Sequence, residues 1–208
     1  MYLKKIPKIL TSVFPKALWR VDNSQSIFLT FDDGPDPVST PQLLSLLDKY
    51  NIKASFFCNG VRAQKYPQLI NEIKDREHYV GNHGYHHISG WSTSTDEYVD
   101  NVENANSIIQ SKAFRPPYGR ITLRQYNAIN KKYKIVMWHV MPGDFDQKVN
   151  HQQLLNNLIT YTHAGSIIVL HDSPYAVDKF RLIIKDYAKK MSQEGLKMES
   201  INTIISSE

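Results

Sequence analysis

The chain has 208 residues, of which 41% are apolar and 22% charged, so it is long enough for one hydrophobic core and rather short for two. This composition excludes a disordered chain, and the single cysteine excludes an internal disulfide or a cysteine-based metal cage. The net charge of +5 comes from scattered lysines, so we expect a solubilising surface and no nucleic-acid partner.

The N-terminal segment, residues 1–20, is basic, but lysine or proline interrupts each apolar stretch before it reaches the length of a signal peptide. No other segment approaches the ~20 apolar residues that a membrane-spanning helix needs. We therefore expect a soluble chain without a transmembrane segment, and the cytoplasm is favoured over secretion. Residues 1–208 are predicted to form a single domain with residues 1–25 as an N-terminal extension, and no oligomeric state is predicted.

From Ile27 onward, short apolar runs alternate with amphipathic helical patterns, which is typical of βα units in a parallel sheet. About 180 residues are too few for the usual eightfold barrel of ~250 residues. The predicted fold class is therefore α/β, as a distorted or incomplete (β/α) barrel of about seven parallel strands, and an open doubly wound sheet is the alternative. The strands are predicted to begin near Ile27, Lys53, Tyr79, Ala113, Lys134, Ser166 and Leu196.

Local signals predict the starts of four helices. Thr40 before Pro41 is typical of an N-cap followed by proline at the first helical position. Pro67 opens a second helix in the same way. The remaining two starts carry the pattern of a capping box, formed by Ser94 with Glu97 and by Asn150 with Gln153.

The first predicted strand ends in two adjacent carboxylates. Asp32 and Asp33 follow an apolar run and precede Gly34 and Pro35, where the strand gives way to a turn. An exposed turn would use the same residue types, because Asp and Gly are common turn formers. Ligands of α/β proteins bind at the carboxyl ends of the strands, so the pair is also a candidate site.

Three imidazoles follow the third predicted strand, at His83, His86 and His87. His83 and His87 are four residues apart, so on a helical turn both rings can point to one side and hold a divalent metal. A polar loop is the alternative for a pair of histidines with this spacing.

Three other predicted strand ends carry ionisable groups. Arg115 begins the string Arg-Pro-Pro-Tyr-Gly, Asp144 lies in the segment from Trp138 to Phe145, and His171 ends an apolar run. Independent surface residues would not favour the same end of each strand. The placement of these groups therefore favours a single site.

Together these strings resemble the polysaccharide deacetylases that share the NodB homology domain, known as carbohydrate esterase family 4. The resemblance implies a distorted (β/α) barrel and a hydrolase that removes N-acetyl groups, or O-acetyl groups as an alternative, from a carbohydrate such as chitooligosaccharide or peptidoglycan. The five motifs that carry it are Thr30 to Pro35, His83 to His87, Arg115 to Gly119, Trp138 to Phe145, and Leu170 to Asp172.

The resemblance implies a divalent metal ion held by Asp33, His83 and His87, usually zinc, with cobalt and nickel as alternatives. Three protein ligands leave zinc with open positions for water and for the amide carbonyl, which suits hydrolysis. Asp32 would act as the base, because it is adjacent to the metal without ligating it. Arg115 would hold Asp32 in place.

The other family positions serve the leaving group and the acetyl pocket. His171 would be the acid, since an amine is a poor leaving group unless it is protonated. Asp144 would tune His171 or share the arginine of the third motif. The backbone N–H of Tyr118 would help to bind the oxyanion, and Trp138 and Leu170 would wall the pocket for the acetyl methyl.

Three positions depart from the usual pattern of the family. Gly84 stands where Ser or Thr normally follows the first metal histidine, Phe145 replaces a common Trp, and Met141 replaces a frequent Asp. None of these is an expected metal ligand or base, so they bear on substrate choice and rate more than on the reaction type.

Three alternatives stay open at this point. One is a metal-dependent deacylase for a different N-acyl compound, and another is a non-catalytic carbohydrate-binding or regulatory domain on the same barrel. A non-haem iron oxygenase is the third, because two histidines and one carboxylate also form a facial triad. It would leave Asp32, Arg115 and His171 without roles.

Overall fold

The computed structural model describes residue 4, residues 11–22 and residues 24–205. In this part of the chain, seven strands form one parallel sheet in the order β5-β4-β3-β2-β1-β6, and β7 pairs with the start of β1. They are β1 (Ser26–Asp32), β2 (Ser55–Cys58), β3 (Tyr79–Asn82), β4 (Ala113–Phe114), β5 (Lys134–Ile135), β6 (Ile167–His171) and β7 (Lys197–Met198).

The helices of the described residues alternate with the strands, as βα units require. None of them is long and apolar enough to cross a lipid bilayer. They are α1 (Ser39–Lys49), α2 (Gly60–Lys65), α3 (Pro67–Asp75), α4 (Thr95–Ile109), α5 (Leu123–Ile129), α6 (His151–Tyr161), α7 (Pro174–Gln193) and α8 (Asn202–Ile205), with 3₁₀ turns at Gly90–Ser92 and Pro117–Gly119.

The barrel closes between β5 and β6 through isolated contacts instead of a continuous ladder. Beyond β5, Val140 forms a parallel bridge to Ile168 of β6. Leu18, in the predicted N-terminal extension, forms another bridge to Val136. We call this side of the barrel the β5–β6 seam. The predicted α/β fold, an incomplete barrel of about seven parallel strands, is confirmed.

Three of the predicted helix starts are confirmed. α3 begins at Pro67, and Ser94 caps α4 by accepting a hydrogen bond from the backbone N–H of Glu97. Asn150 and Gln153 complete a capping box at α6. Ser94 and Asn150 accept hydrogen bonds from backbone N–H groups that have no partner within the helix. Pro67 has no N–H group, so the first position of its helix needs no acceptor.

The predicted N-cap at Thr40 is wrong. α1 begins at Ser39, and its N-cap, Val38, makes no side-chain bond to the helix. The Thr40 hydroxyl instead accepts a hydrogen bond from the Asp36 N–H at 2.7 Å and donates one to Asp172 at 2.5 Å. A long-range carboxylate therefore occupies the hydroxyl that local sequence would assign to the cap.

Side chains of β1 and β6 alternate between the inside of the barrel and the outer core beneath the helices. In the register of these strands Asp32 lies opposite His171, and Phe31 lies opposite Leu170. Leu170 is 1% exposed and packs in the outer cluster. The predicted role of Leu170 in the acetyl pocket does not fit this position, because successive strand residues point to opposite faces. Val169 shares the face of His171.

Leu170→Ala is expected to lower the free energy of unfolding by about 2–5 kcal/mol, because it leaves a cavity in the outer core. Leu182→Ala is the control, since Leu182 lies on α7 and is 59% exposed. This substitution should change the free energy by about 0.5 kcal/mol or less. Urea unfolding measures both, and equally small effects would contradict the core position of Leu170.

Candidate active site

The adjacent carboxylates of Asp32 and Asp33 at the end of β1 differ in burial and in backbone conformation. Asp32, the last residue of the strand, is 4% exposed, whereas the Asp33 side chain is 40% exposed. Asp33 has a left-handed backbone with φ of 74°. A non-glycine residue in this region is strained, and such residues cluster at functional sites. The turn therefore presents one buried and one accessible carboxylate at the same end of the barrel.

Asp33, His83 and His87 form a cluster that could hold a metal ion. Asp33 Oδ1 lies 3.1 Å from His87 Nε2 and 3.6 Å from His83 Nε2. Ligand atoms around a tetrahedral zinc are about 3.3 Å apart, so these spacings fit one ion. His83 Nδ1 lies 2.8 Å from the Arg115 carbonyl oxygen, and this contact leaves Nε2 as the ligand atom.

The two histidines lie on a loop, so the predicted helical turn is wrong. Residues 83–89 follow β3 without helical structure. Asn101 holds the loop by accepting a hydrogen bond from the His86 N–H and donating one to the His86 carbonyl.

Gly84 has φ of 79°, and a Cβ there would lie 2.7 Å from Asn101 Nδ2. The glycine that departs from the family pattern is therefore required by this turn.

The ionisation of this cluster suits a cation. Burial lowers the pKa of His83, which keeps its imidazole neutral at pH 7. Burial raises the pKa of Asp33, but the hydrogen bond from His87 and the charges of the nearby histidines lower it more, so the net pKa falls well below its usual range. Metal ligands must be deprotonated, and both groups already are.

The fully buried side chain of Arg115 orients Asp32. Its guanidinium donates to Asp32 Oδ1 at 2.7 Å and to the Thr30 hydroxyl at 2.6 Å, and it also donates to two backbone carbonyls beyond β5. Asp32 Oδ2 lies 4.0 Å from His83 Nε2. One oxygen of Asp32 is therefore occupied by Arg115, and the other faces the cluster of Asp33, His83 and His87. Thr30 begins the first motif, two residues before Asp32 on the same strand face, and its support of Arg115 is a role that the sequence did not predict.

Asp144 pairs with His171. Its Oδ1 lies 3.0 Å from His171 Nδ1, and its Oδ2 accepts the His171 backbone N–H at 2.6 Å. Burial lowers the pKa of His171, but the charge and hydrogen bond of Asp144 raise it more, to about 9. Of the two roles predicted for Asp144, the contacts match the one with His171 and not the one with Arg115. His171 Nε2 is the ring nitrogen left for a ligand.

Lys179 supports the loop that carries Asp144, and no motif identifies it. The side chain is buried, and its Nζ donates to the carbonyl oxygens of Asp144 at 2.9 Å and Asp146 at 2.7 Å. A sequence signal does exist. Lys179 interrupts the apolar stripe of α7, three residues after Ala176 and four before Ile183.

Gly119 connects Tyr118 to Trp138, because it follows Tyr118 in the chain and packs on the indole of Trp138. Tyr118 has φ of 58°, and its ring centroid lies 4.4 Å from that of His87. A Cβ on Gly119 would lie 2.5 Å from Cη2 of Trp138, so the backbone packs directly on the indole. The Trp138 Nε1 is buried without a hydrogen-bond partner among the described residues. The roles predicted for the Tyr118 N–H and for Trp138 stay predictions.

Residues 20–138 match the family model for polysaccharide deacetylases. The chain belongs to the polysaccharide deacetylase family. The predicted family is thereby confirmed, and the named relatives belong to the predicted class of enzyme, hydrolases that deacetylate carbohydrates.

Curated relatives and solved structures agree with this family. A peptidoglycan-N-acetylglucosamine deacetylase of Bacillus cereus is 35% identical over 159 residues, which cover 73% of this chain but only 58% of the relative. A chitooligosaccharide deacetylase of Azorhizobium caulinodans is 31% identical over 169 residues, covering 77% and 80%. The crystal structure of a peptidoglycan N-acetylglucosamine deacetylase, in complex with a naphthalenyl N-oxidanyl-benzamide, matches with a TM-score of 0.84 at 28% identity and covers 95% and 96%.

His87→Ala is expected to reduce the bound metal of the purified protein from about one equivalent to a small fraction, because a three-ligand site loses one of its donors. His86→Ala is the matched control, since this neighbouring imidazole is exposed and lies outside the cluster. Elemental analysis after dialysis against zinc measures both. Equal metal content in the two variants would contradict the ligand assignment.

Asp144→Asn is expected to lower the pKa of His171 below its value of about 9, because the substitution removes the adjacent negative charge. An NMR titration of the metal-free protein that follows the His171 ring protons measures this shift. Asp146→Asn, two residues away, should leave the pKa close to that of the wild type. A titration of His171 that is the same in all three proteins would mean that another group sets its pKa.

Proposed function

We propose that this chain is a metal-dependent hydrolase that removes N-acetyl groups from a glycan. One observation carries the proposal. A cluster suited to a divalent ion lies at the same end of the barrel as two ion pairs, the buried pair of Asp32 with Arg115 and the partly buried pair of His171 with Asp144. The named relatives act on N-acetylated peptidoglycan and on chitooligosaccharides, which supports an amide bond as the target.

Asp32 is proposed as the base. A divalent ion, when bound to Asp33, His83 and His87, would supply an acidified water and a polarised acetyl carbonyl. Asp32 Oδ2 is directed towards this cluster and does not belong to it. Arg115 holds the other oxygen, so the carboxylate is fixed in the orientation that removing a proton from the water requires.

His171 is proposed as the acid. Its register opposite Asp32 on neighbouring strands brings base and acid to the same side of the sheet. Its pKa of about 9 keeps the imidazole protonated at neutral pH, and Asp144 occupies Nδ1. The Nε2 proton can therefore pass to the amine nitrogen as the carbon–nitrogen bond breaks.

The backbone N–H of Tyr118 is proposed to stabilise the oxyanion. Its left-handed φ and the packing of Gly119 on Trp138 hold this peptide in place before substrate binds. One such donor is typically worth about 3 kcal/mol of transition-state stabilisation. Trp138 and Val169 would surround the acetyl methyl. Val169 lies on the inner face and replaces Leu170 in this proposed role.

Zinc is the proposed metal, since two imidazoles and one carboxylate form a common zinc ligand set. Cobalt and nickel fit the same donors. A facial triad for iron would use the three ligands equally well, but it gives no role to the Asp32–Arg115 and His171–Asp144 pairs. A carbohydrate-binding domain without turnover would not need a partly buried imidazolium paired with the buried carboxylate of Asp144, whose desolvation is costly.

Asp32→Asn is expected to lower kcat for acetate release by about 10²–10⁴-fold, which is the usual contribution of a general base. Bound metal should remain near the wild-type level, because Asp32 is outside the cluster. Acetate release from N-acetylated oligosaccharides measures the rate, and elemental analysis and circular dichroism check the metal and the fold. A folded, metal-loaded variant with the wild-type rate would refute the assignment of the base.

A further inference from the structure

A row of exposed side chains leads away from the metal-binding cluster. Tyr118, whose ring contacts His87, is 59% exposed, and Trp91 is 68% exposed. The Arg120 guanidinium lies between them, with its Cζ 5.5 Å from the Tyr118 ring centroid and 5.1 Å from that of Trp91. We call these three residues the Trp91 shelf. Exposed aromatic rings next to a site usually mark a binding surface.

The turn that carries Trp91 is held in place by buried contacts. The fully buried Gln125 donates hydrogen bonds from Nε2 to the carbonyl oxygens of Gly90 and Thr93, at 2.9 Å and 3.0 Å. The Gly90 N–H donates to the Arg120 carbonyl at 3.1 Å. A Cβ on Gly90 would lie 2.5 Å from both the Gln125 Oε1 and the Arg120 carbonyl oxygen, so the two segments are in close contact. The shelf is therefore preorganised, which reduces the entropy lost on binding.

The charge of Arg120 selects the kind of ligand. Within the part of the chain that the structure describes, its guanidinium contacts the two aromatic rings and no carboxylate. The N–H groups of a guanidinium match the two oxygens of a carboxylate. Sugar rings offer apolar C–H faces to Trp and Tyr. The shelf thus combines an aromatic surface for sugars with one unpaired cation.

We propose that the Trp91 shelf binds the sugars that flank the acetylated one in a glycan chain that bears carboxylates. Arg120 pairs with a carboxylate of the chain, and Trp91 stacks on a sugar ring. This inference rests on the proposed function, because it takes the reacting sugar to lie at the metal-binding cluster. The shelf makes the enzyme selective for acidic glycan chains over neutral ones of the same length.

The test compares two N-acetylated tetrasaccharides. One comes from peptidoglycan glycan chains and carries muramic acid carboxylates, and the other is neutral N-acetylated chitotetraose. Acetate release gives kcat/KM for the wild type, Arg120→Gln and Trp91→Ala. The matched controls are Arg181→Gln and Leu182→Ala, which alter an exposed arginine and an exposed leucine on α7.

Arg120→Gln is expected to lower the ratio of kcat/KM between the acidic and the neutral substrate about tenfold, equivalent to about 1.4 kcal/mol. Trp91→Ala is expected to raise KM about tenfold for both tetrasaccharides. An equal loss on both substrates in Arg120→Gln would overturn carboxylate recognition. A Trp91→Ala variant that behaves like Leu182→Ala would overturn the role of the shelf in sugar binding.

Failure of the proposed function gives a different result. In that case the metal-loaded wild type would release acetate from neither tetrasaccharide. Isothermal titration calorimetry of the same two tetrasaccharides then tests the shelf without turnover. Tighter binding of the acidic one that is lost in Arg120→Gln supports the inference, and equal binding of both by the wild type overturns it.

Discussion

The site depends on the buried charge of Arg115. Arg115 has no exposed surface, so its charge must be balanced and its N–H groups need acceptors inside the barrel. Asp32 and Thr30 on β1, together with two carbonyls beyond β5, accept four hydrogen bonds from it. Removing one partner of such a pair leaves an uncompensated charge and costs about 3–5 kcal/mol. The orientation of the proposed base is thus a condition for a stable core as well as for catalysis.

Strand register does the rest of the positioning. Asp32 and His171 are paired across β1 and β6, and the loop after β3 returns two imidazoles to the turn after β1. Groups that are far apart along the chain are therefore close together without any long connecting segment. Asp32 ends β1, and Asp33 follows it with a strained left-handed backbone, which separates the candidate ligand Asp33 from the free oxygen of Asp32.

Much of this arrangement could be predicted from the sequence, because apolar runs and ionisable strand ends mark both the strands and the end at which they meet. The sequence does not predict which face of a parallel strand points into the barrel, because both faces are apolar. That is why Leu170, which packs in the outer core, was predicted to line the pocket. Thr40 and the histidine loop were misjudged for a related reason. Their geometry depends on Asp172 and Asn101, which are distant in sequence and lack a local signal.

Because of the β5–β6 seam, the segment that carries Asp144 has fewer backbone hydrogen bonds to the sheet than the strand that carries Asp32. The wall that carries Asp32 belongs to a strand paired along both edges, whereas Asp144 lies on a segment joined to β6 through an isolated bridge at Val140 and anchored by Lys179. Local opening is easiest where hydrogen bonds are sparse. Local opening of the cleft is therefore expected in the segment that carries Asp144 before it reaches the doubly paired strand that carries Asp32.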